Sequence, residues 1–166
     1  AARRIIPIID LRNKIAEAAS GKELVLNEGK IEFKDIVFKY NNDEKDVLKN
    51  VSLNINGGEM TSLVGHSGAG KSSIINLIPR FYDRLSGDIK IDGQSIYDLK
   101  VSSLRSNISL VSQDITLFDD TIKNNIAYAK LGATDEEILE ASKLSFCQEF
   151  VEKLPNKMDT FIGENG

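Results

Sequence analysis

The run Gly65-His66-Ser67-Gly68-Ala69-Gly70-Lys71-Ser72 decides how the rest of this chain is read. It fits G-x-x-x-x-G-K-[ST], the phosphate-cradling P-loop or Walker A pattern. The spacing has a mechanical reason. Gly65, Gly68 and Gly70 let successive backbone N–H groups turn inward as an anion-binding nest, which a Cβ would obstruct. Lys71 is placed to reach the β and γ phosphates of a nucleotide, and the Ser72 hydroxyl to ligate Mg²⁺. His66, Ser67 and Ala69 fill permissive positions that contribute backbone N–H groups. His66 is the chain's single histidine and reads as one of these rather than as an acid–base catalyst. The context agrees: residues 59–64 (EMTSLV) read as a strand entering the loop. Residues 73–78 (SIINLI) read as a buried helix leaving it, with its N-terminal dipole toward the phosphates.

Composition sets the outer bounds. The 166 residues suit one domain with a real core, and hydrophobic and charged contents of 41% and 28% are those of a soluble globular protein. A net charge of −4 argues against a broad nucleic-acid-binding face. Cys147 stands alone, so no internal disulfide forms and a reducing setting fits; it reads as a small apolar helix residue. No stretch approaches the ~18–20 apolar residues of a membrane-spanning helix.

Outward from the loop, residues 1–28 read as a lead-in, with helical tendency over 11–19 and a break at Ser20-Gly21. Residues 31–40 read as a strand whose phase changes midway, as at a bulge. Residues 41–45 are a polar turn, and a second strand over 47–55 places Val51, Leu53 and Ile55 on one face. Asn56-Gly57-Gly58 turns the chain into the strand before the loop. Beyond the loop helix come a strand over 88–91, an Asp92-Gly93 turn, and a short helix over 102–107 with Ser102 near its N-cap. A buried strand over 108–112 ends at Gln113-Asp114. Helices follow over 121–129, 134–144 (Thr134 and Glu137 forming a capping box) and 146–154. The expected fold class is α/β, a P-loop core with an antiparallel β part and a helical part from about residue 114.

Two residues outside the loop carry candidate chemistry. Tyr40, at the end of the first strand, could stack on an adenine face or pack into the core. Gln113 ends a buried strand, where α/β sheets place ligand-binding groups, or is simply a polar strand-end residue.

Several linked stretches resemble the ATP-binding domain of ABC transporters. They are Phe38-Lys39-Tyr40, Val47 through Leu53, Gly65 through Ser73, Arg80-Phe81-Tyr82-Asp83, Ser86-Gly87-Asp88-Ile89 and Ile91-Asp92-Gly93. The stretch Leu104-Arg105 … Val111-Ser112-Gln113-Asp114 … Leu117-Phe118 … Thr121-Ile122 … Asn125-Ile126 is similar to the exporter subgroup with fused membrane and ATPase domains, which includes lipid flippases and multidrug exporters. The resemblance implies a P-loop ABC-type ATPase over residues 29–166, with 1–28 a linker from a membrane domain. It implies that Tyr40 stacks on adenine and that Gln113 approaches Mg²⁺ and senses the attacking water. The implied ATP site comprises Tyr40, Gly65, His66, Ser67, Gly68, Ala69, Gly70, Lys71, Ser72, Ser73 and Gln113. Lys71 and Gln113 are its catalytic members, Ser72 and Gln113 its metal contacts. Thr160 through Gly166 is similar to the loop that contacts the partner's coupling helices. Ser73 stands where Thr is usual and Arg84 where Pro is common. The implied partners are a membrane-spanning domain of the same transporter and a second nucleotide-binding domain, expected as a homodimer; no nucleic acid is implied. The implied location is the cytoplasmic face of a membrane.

The family's Leu-Ser-Gly-Gly-Gln signature, the strand ending in Asp-Glu and the switch histidine do not occur in these residues. The fold is therefore expected to be truncated before the signature, and the chain alone to bind ATP without efficient hydrolysis. Two rival readings remain. Asn156-Lys157-Met158-Asp159 matches the N-K-x-D guanine-reading pattern of GTPase switch proteins, but no D-x-x-G accompanies it. The other is a non-enzymatic nucleotide-binding module.

Overall fold

The computed structural model describes residue 15 and residues 21–40, 45–112 and 116–163. The chain divides into two compact units, Ala1–Leu110 and Val111–Gly166.

The first unit is built on a four-stranded antiparallel sheet. Its strands are β1 (Ile31–Phe38), β2 (Leu48–Ile55), β3 (Ser86–Ile91) and β4 (Gln94–Ser95), in the order β2-β1-β3-β4. The phase change expected in β1 is a bulge. Phe33 pairs with Leu53 and Ile89, the register then shifts, and Asp35 takes a φ of 51°. The extra residue turns both Phe33 and Ile36 inward, so Phe33, Ile36 and Phe38 are all buried. Ser52 holds the bulge, its Oγ accepting from the Asp35 N–H at 2.8 Å and donating to Asp35 Oδ1 at 3.1 Å. The β3–β4 hairpin turns at Asp92 and Gly93, with φ 48° and 76°, the primed geometry that suits the twist of a hairpin.

Helix α1 (Lys71–Leu77) follows the P-loop, and α2 (Val101–Ser106) follows β4. Ile74 and Leu77 of α1 join Phe33, Phe38, Leu48 and Ile89 in one core cluster, which fixes the loop helix to the sheet. The far end of α1 is held as well. Arg80, buried, makes a two-point pair with Asp83 at 3.0 and 3.2 Å. Arg105 of α2 donates to the carbonyls of Pro79 and Arg80 at 2.9 and 2.7 Å. Tyr97, whose ring lies beside Arg80 and Arg84, has its phenol pushed up to about 12, chiefly by burial.

The segment before β1 is strapped to this unit. Lys22 bridges to Leu99 in parallel, and the Leu24 N–H donates to Ser103 Oγ at 2.9 Å. The Asp92 carboxylate accepts the N–H groups of Asn27, Glu28, Gly29 and Lys30 at 2.8–3.2 Å.

The second unit contains a two-stranded pair, β5 (Asp120–Thr121) and β6 (Phe161–Ile162), and helices α3 (Ile122–Ala127), α4 (Asp135–Leu144) and α5 (Gln148–Val151), then a 3₁₀ turn over Lys157–Asp159. Thr121 caps α3, accepting from the Asn124 N–H at 3.1 Å. The expected capping box on α4 is present: Thr134 Oγ1 accepts from the Glu137 N–H at 3.3 Å, and Glu137 Oε2 accepts from the Thr134 N–H at 3.0 Å. Ile122, Ile138 and Val151 supply its buried apolar side chains.

Four expectations need correction. Residues 59–64 form no strand; Met60 is 98% and Val64 93% exposed, and only Leu63 packs against the core. Residues 108–112 form none either, with Val111 93% exposed. Both stretches have the apolar character of buried strands, but a strand also needs a neighbour to pair its N–H and C=O groups. No such neighbour occurs among the described residues. Ser102 does not cap α2, because the helix begins one residue earlier and Lys100, in an extended conformation, takes the N-cap. The expected 146–154 helix is reduced to α5, because Phe146 adopts a φ of 58°, outside helical space, and ends α4. Cys147 accordingly sits half-buried at the N-cap of α5. The helical tendency over 11–19, Ile15 apart, and the turn over 41–44 lie outside the described residues. No helix among the described residues is long and apolar enough to cross a membrane.

Candidate nucleotide site

The loop sits where β2 begins. Val47 donates its N–H to the Phe38 carbonyl at 2.8 Å, which brings the start of β2 against the end of β1. Gly70 lies on this corner with a φ of 86°, and a Cβ there would come within 2.7 Å of Leu48 Cδ2. Gly68 also has a positive φ, 80°, with open space where its Cβ would be. The two glycines thus act differently. Gly70 permits close approach to the sheet, and Gly68 permits the turn.

Lys71 opens α1 and folds back over the loop, its Nζ donating to the Gly65 and His66 carbonyls, each at 2.7 Å. These bonds close the loop into a ring with the ammonium at its rim. The Ser72 hydroxyl, next along α1, is exposed and has no hydrogen-bond partner among the described residues. His66 Nδ1 donates to the Ser67 carbonyl at 2.8 Å, which orients the ring along the loop.

Tyr40, Val47 and residues 67–73 line one hollow of about 370 Å³. The sequence-derived residues Tyr40, Ser67, Gly68, Ala69, Gly70, Lys71, Ser72 and Ser73 are therefore brought together. Gly65 and His66 belong to the same loop and are tied to Lys71. Gln113 lies outside the described residues. Val47 and Tyr82 were not foreseen as site residues. Tyr82 sets its ring edge-on to Tyr40 at 4.9 Å, after the exit of α1. Nothing in the spacing marks either residue; the folded chain brings Val47 to the hollow and sets Tyr82 behind Tyr40.

A second cavity of about 370 Å³ in the same unit is lined by Leu24, Ile31, Ile75, Ile78, Ile108 and Leu110, among others. Its apolar walls offer no cationic group to a phosphate. The loop hollow, with Lys71 and a run of backbone N–H groups, does.

Asn156 through Asp159, the N-K-x-D match, forms a turn and the 3₁₀ helix of the second unit. Thr160 to Ile162 leads into β6, with Phe161 63% exposed; residues 164–166 lie outside the described residues.

Comparison with known proteins identifies the scaffold that carries this hollow. The family description "ABC transporter" matches residues 48–165. The chain belongs to the ABC transporter family. The chain is 44% identical over 167 aligned positions to an ATP-dependent lipid A-core flippase of Coxiella burnetii, spanning 100% of this chain and 28% of the flippase. It is also 44% identical over 162 positions to an ATP-binding/permease protein of Staphylococcus aureus, spanning 98% of this chain and 28% of that protein. Among solved structures it resembles a bacterial Atm1-family ABC exporter with ATP bound, with a TM-score of 0.90 at 37% identity, covering 98% of this chain and 28% of that one. The chain thus spans little more than a quarter of the ABC proteins it matches. Membership in the ABC family replaces the GTPase reading.

Proposed function

We propose that this chain is the ATP-binding part of an ABC exporter or flippase, whose ATP binding and hydrolysis drive a substrate across a membrane. One observation carries the reading: Tyr40 and the P-loop line a single hollow, one end aromatic and the other cationic. That polarity matches a purine triphosphate, with a base to stack and phosphates to neutralise. Similarity to an exporter solved with ATP bound supports the same ligand.

In this reading Lys71 leaves the Gly65 and His66 carbonyls for the β and γ phosphates, and the N–H groups of Gly68 to Ser73 surround them. The fit to Mg²⁺ is partial but chemically sensible. Ser72 offers one exposed hydroxyl, and no cluster of three or more acidic, His or Cys side chains occurs among the described residues. A cation held by one hydroxyl and by the phosphates themselves suits Mg²⁺, which keeps much of its water. When bound, Mg²⁺ would neutralise charge on the β and γ phosphates. Gln113 is proposed as the glutamine that approaches the metal and the attacking water.

The same reading makes residues 1–28 the linker from a membrane-spanning domain and residues 29–166 the N-terminal portion of a nucleotide-binding domain. Residues from about 114 are its helical part. A second nucleotide-binding domain, in a homodimer at the cytoplasmic face, completes the working unit. The deciding experiment is calorimetric titration of ATP into the chain and into Lys71→Ala. Lys71→Ala should lose detectable affinity while keeping its thermal melt; unchanged affinity would sink the assignment.

A further inference from the structure

The Tyr40 hydroxyl lies 2.9 Å from Ser73 Oγ. This bond spans 33 positions of sequence and joins the second residue after β1 to the first turn of α1. Ser73 is 5% exposed on a helix packed into the core, so its hydroxyl is a fixed point. Tyr40 is only half-buried and sits beyond the last ladder pair of its strand. Its ring has two further neighbours, Phe38 at 4.8 Å and 79°, and Tyr82 at 4.9 Å and 89°, both edge-on. Edge-on aromatic contacts hold the ring among its aromatic neighbours but make no tie to α1. The hydroxyl bond is the directional one.

We propose that Ser73 is a positioning residue for the base, whose hydrogen bond to Tyr40 locks that ring in the posture in which it lines the hollow. The proposal rests on the ATP reading and adds a second duty to Ser73, until now only a member of the loop. A phenol is a better donor than an aliphatic alcohol, so Tyr40 donates and Ser73 accepts. Ser73 then keeps its own proton for a phosphate oxygen. Such a chain, phenol to serine to phosphate, strengthens each bond by polarising the next. Base and phosphate ends of the site are thereby coupled through one side chain. The Ser73 hydroxyl does what a bare stacking contact cannot: it makes the ring's position depend on the loop.

The test is a double-mutant cycle on the 166-residue chain, with Tyr40→Phe, Ser73→Ala and the double variant titrated with ATP and with inorganic tripolyphosphate. Tyr40→Phe keeps the ring and should weaken ATP by about three- to tenfold, the net worth of one hydrogen bond, and tripolyphosphate by less, since that ligand loses only the polarisation of the Ser73 hydroxyl. Ser73→Ala should weaken ATP more than tripolyphosphate, and that excess should vanish in the Tyr40→Phe background. Ser73→Thr, which keeps the hydroxyl, should bind both ligands like the parent. If Ser73→Ala weakens both ligands equally and Tyr40→Phe binds ATP like the parent, Ser73 serves phosphate alone and the proposal fails with the ATP reading intact. If the parent chain binds neither ligand, the ATP reading fails and takes the proposal with it. Tripolyphosphate binding and thermal melts report whether each variant is folded.

Discussion

Single atoms decide much of this site, and Gly70 shows how. An alanine there would hold a φ of 86°, which costs roughly 1–2 kcal/mol for a residue bearing a Cβ. The contact it would make, 2.7 Å from Leu48 Cδ2, is with the end of a flexible side chain that can turn away. Gly70→Ala should therefore lower stability by about that 1–2 kcal/mol in urea denaturation rather than prevent folding, and should weaken ATP by tilting the N–H groups of the loop. Asp92 gives a different kind of prediction. The N–H groups of Asn27 and Gly29, with those of Lys30 and Glu28, hold its carboxyl below the ordinary value of 3.8. A carboxylate with a depressed folded-state pKa stabilises the fold above its unfolded value, and loses that contribution as pH falls through the folded value. The urea midpoint of the parent should thus exceed that of Asp92→Asn by a constant margin above about pH 5, and the margin should shrink in acid. A margin that persists at pH 2 would mean the charge does not matter.

Elements, unlike atoms, are legible in the sequence only where the signal is local. The P-loop glycines, the bulge in β1, the Asp92-Gly93 turn and the Thr134–Glu137 capping box depend on neighbours in sequence, and each is where the pattern put it. Residues 59–64 and 108–112 failed as strands because apolar pattern reports burial, whereas a strand requires a partner that the pattern cannot name. The strap of residues 22–30 was illegible for a related reason. Its bonds run to Gln94, Asp92, Leu99 and Ser103, more than sixty positions away. Tyr40 was legible as an aromatic at a strand end, but its bond to Ser73 was not. Gly87 shows the energetic weight of the bulge. With a φ of 92°, its Cβ would lie 2.5 Å from the carbonyl oxygens of both Lys34 and Asp35, and backbone cannot swing aside. Gly87→Ala should cost roughly 3 kcal/mol or more, against the ~1–2 expected at Gly70, and comparing the two urea midpoints checks the order.

For the whole molecule, the question is what a chain with this loop and these residues can do by itself. Phosphoryl transfer leaves little covalent chemistry to the protein; its rate comes from positioning the attacking water and stabilising charge on the phosphates. In the proposed reading Lys71, Ser72 and the N–H groups of the loop serve the second task. The first needs a group to orient and polarise water. Within the 166 residues no apolar strand ends in Asp-Glu to supply it. The chain should therefore bind ATP tightly enough to be stabilised by it, yet turn it over no faster than a few times the rate of its Lys71→Ala variant. Both halves are measurable on one preparation. Thermal melts with increasing Mg-ATP should rise as RT ln(1 + [L]/Kd) demands, and phosphate release should stay near background over the same range. A melt that rises together with steady turnover would show that residues among these 166, Gln113 foremost, position the water without a carboxylate.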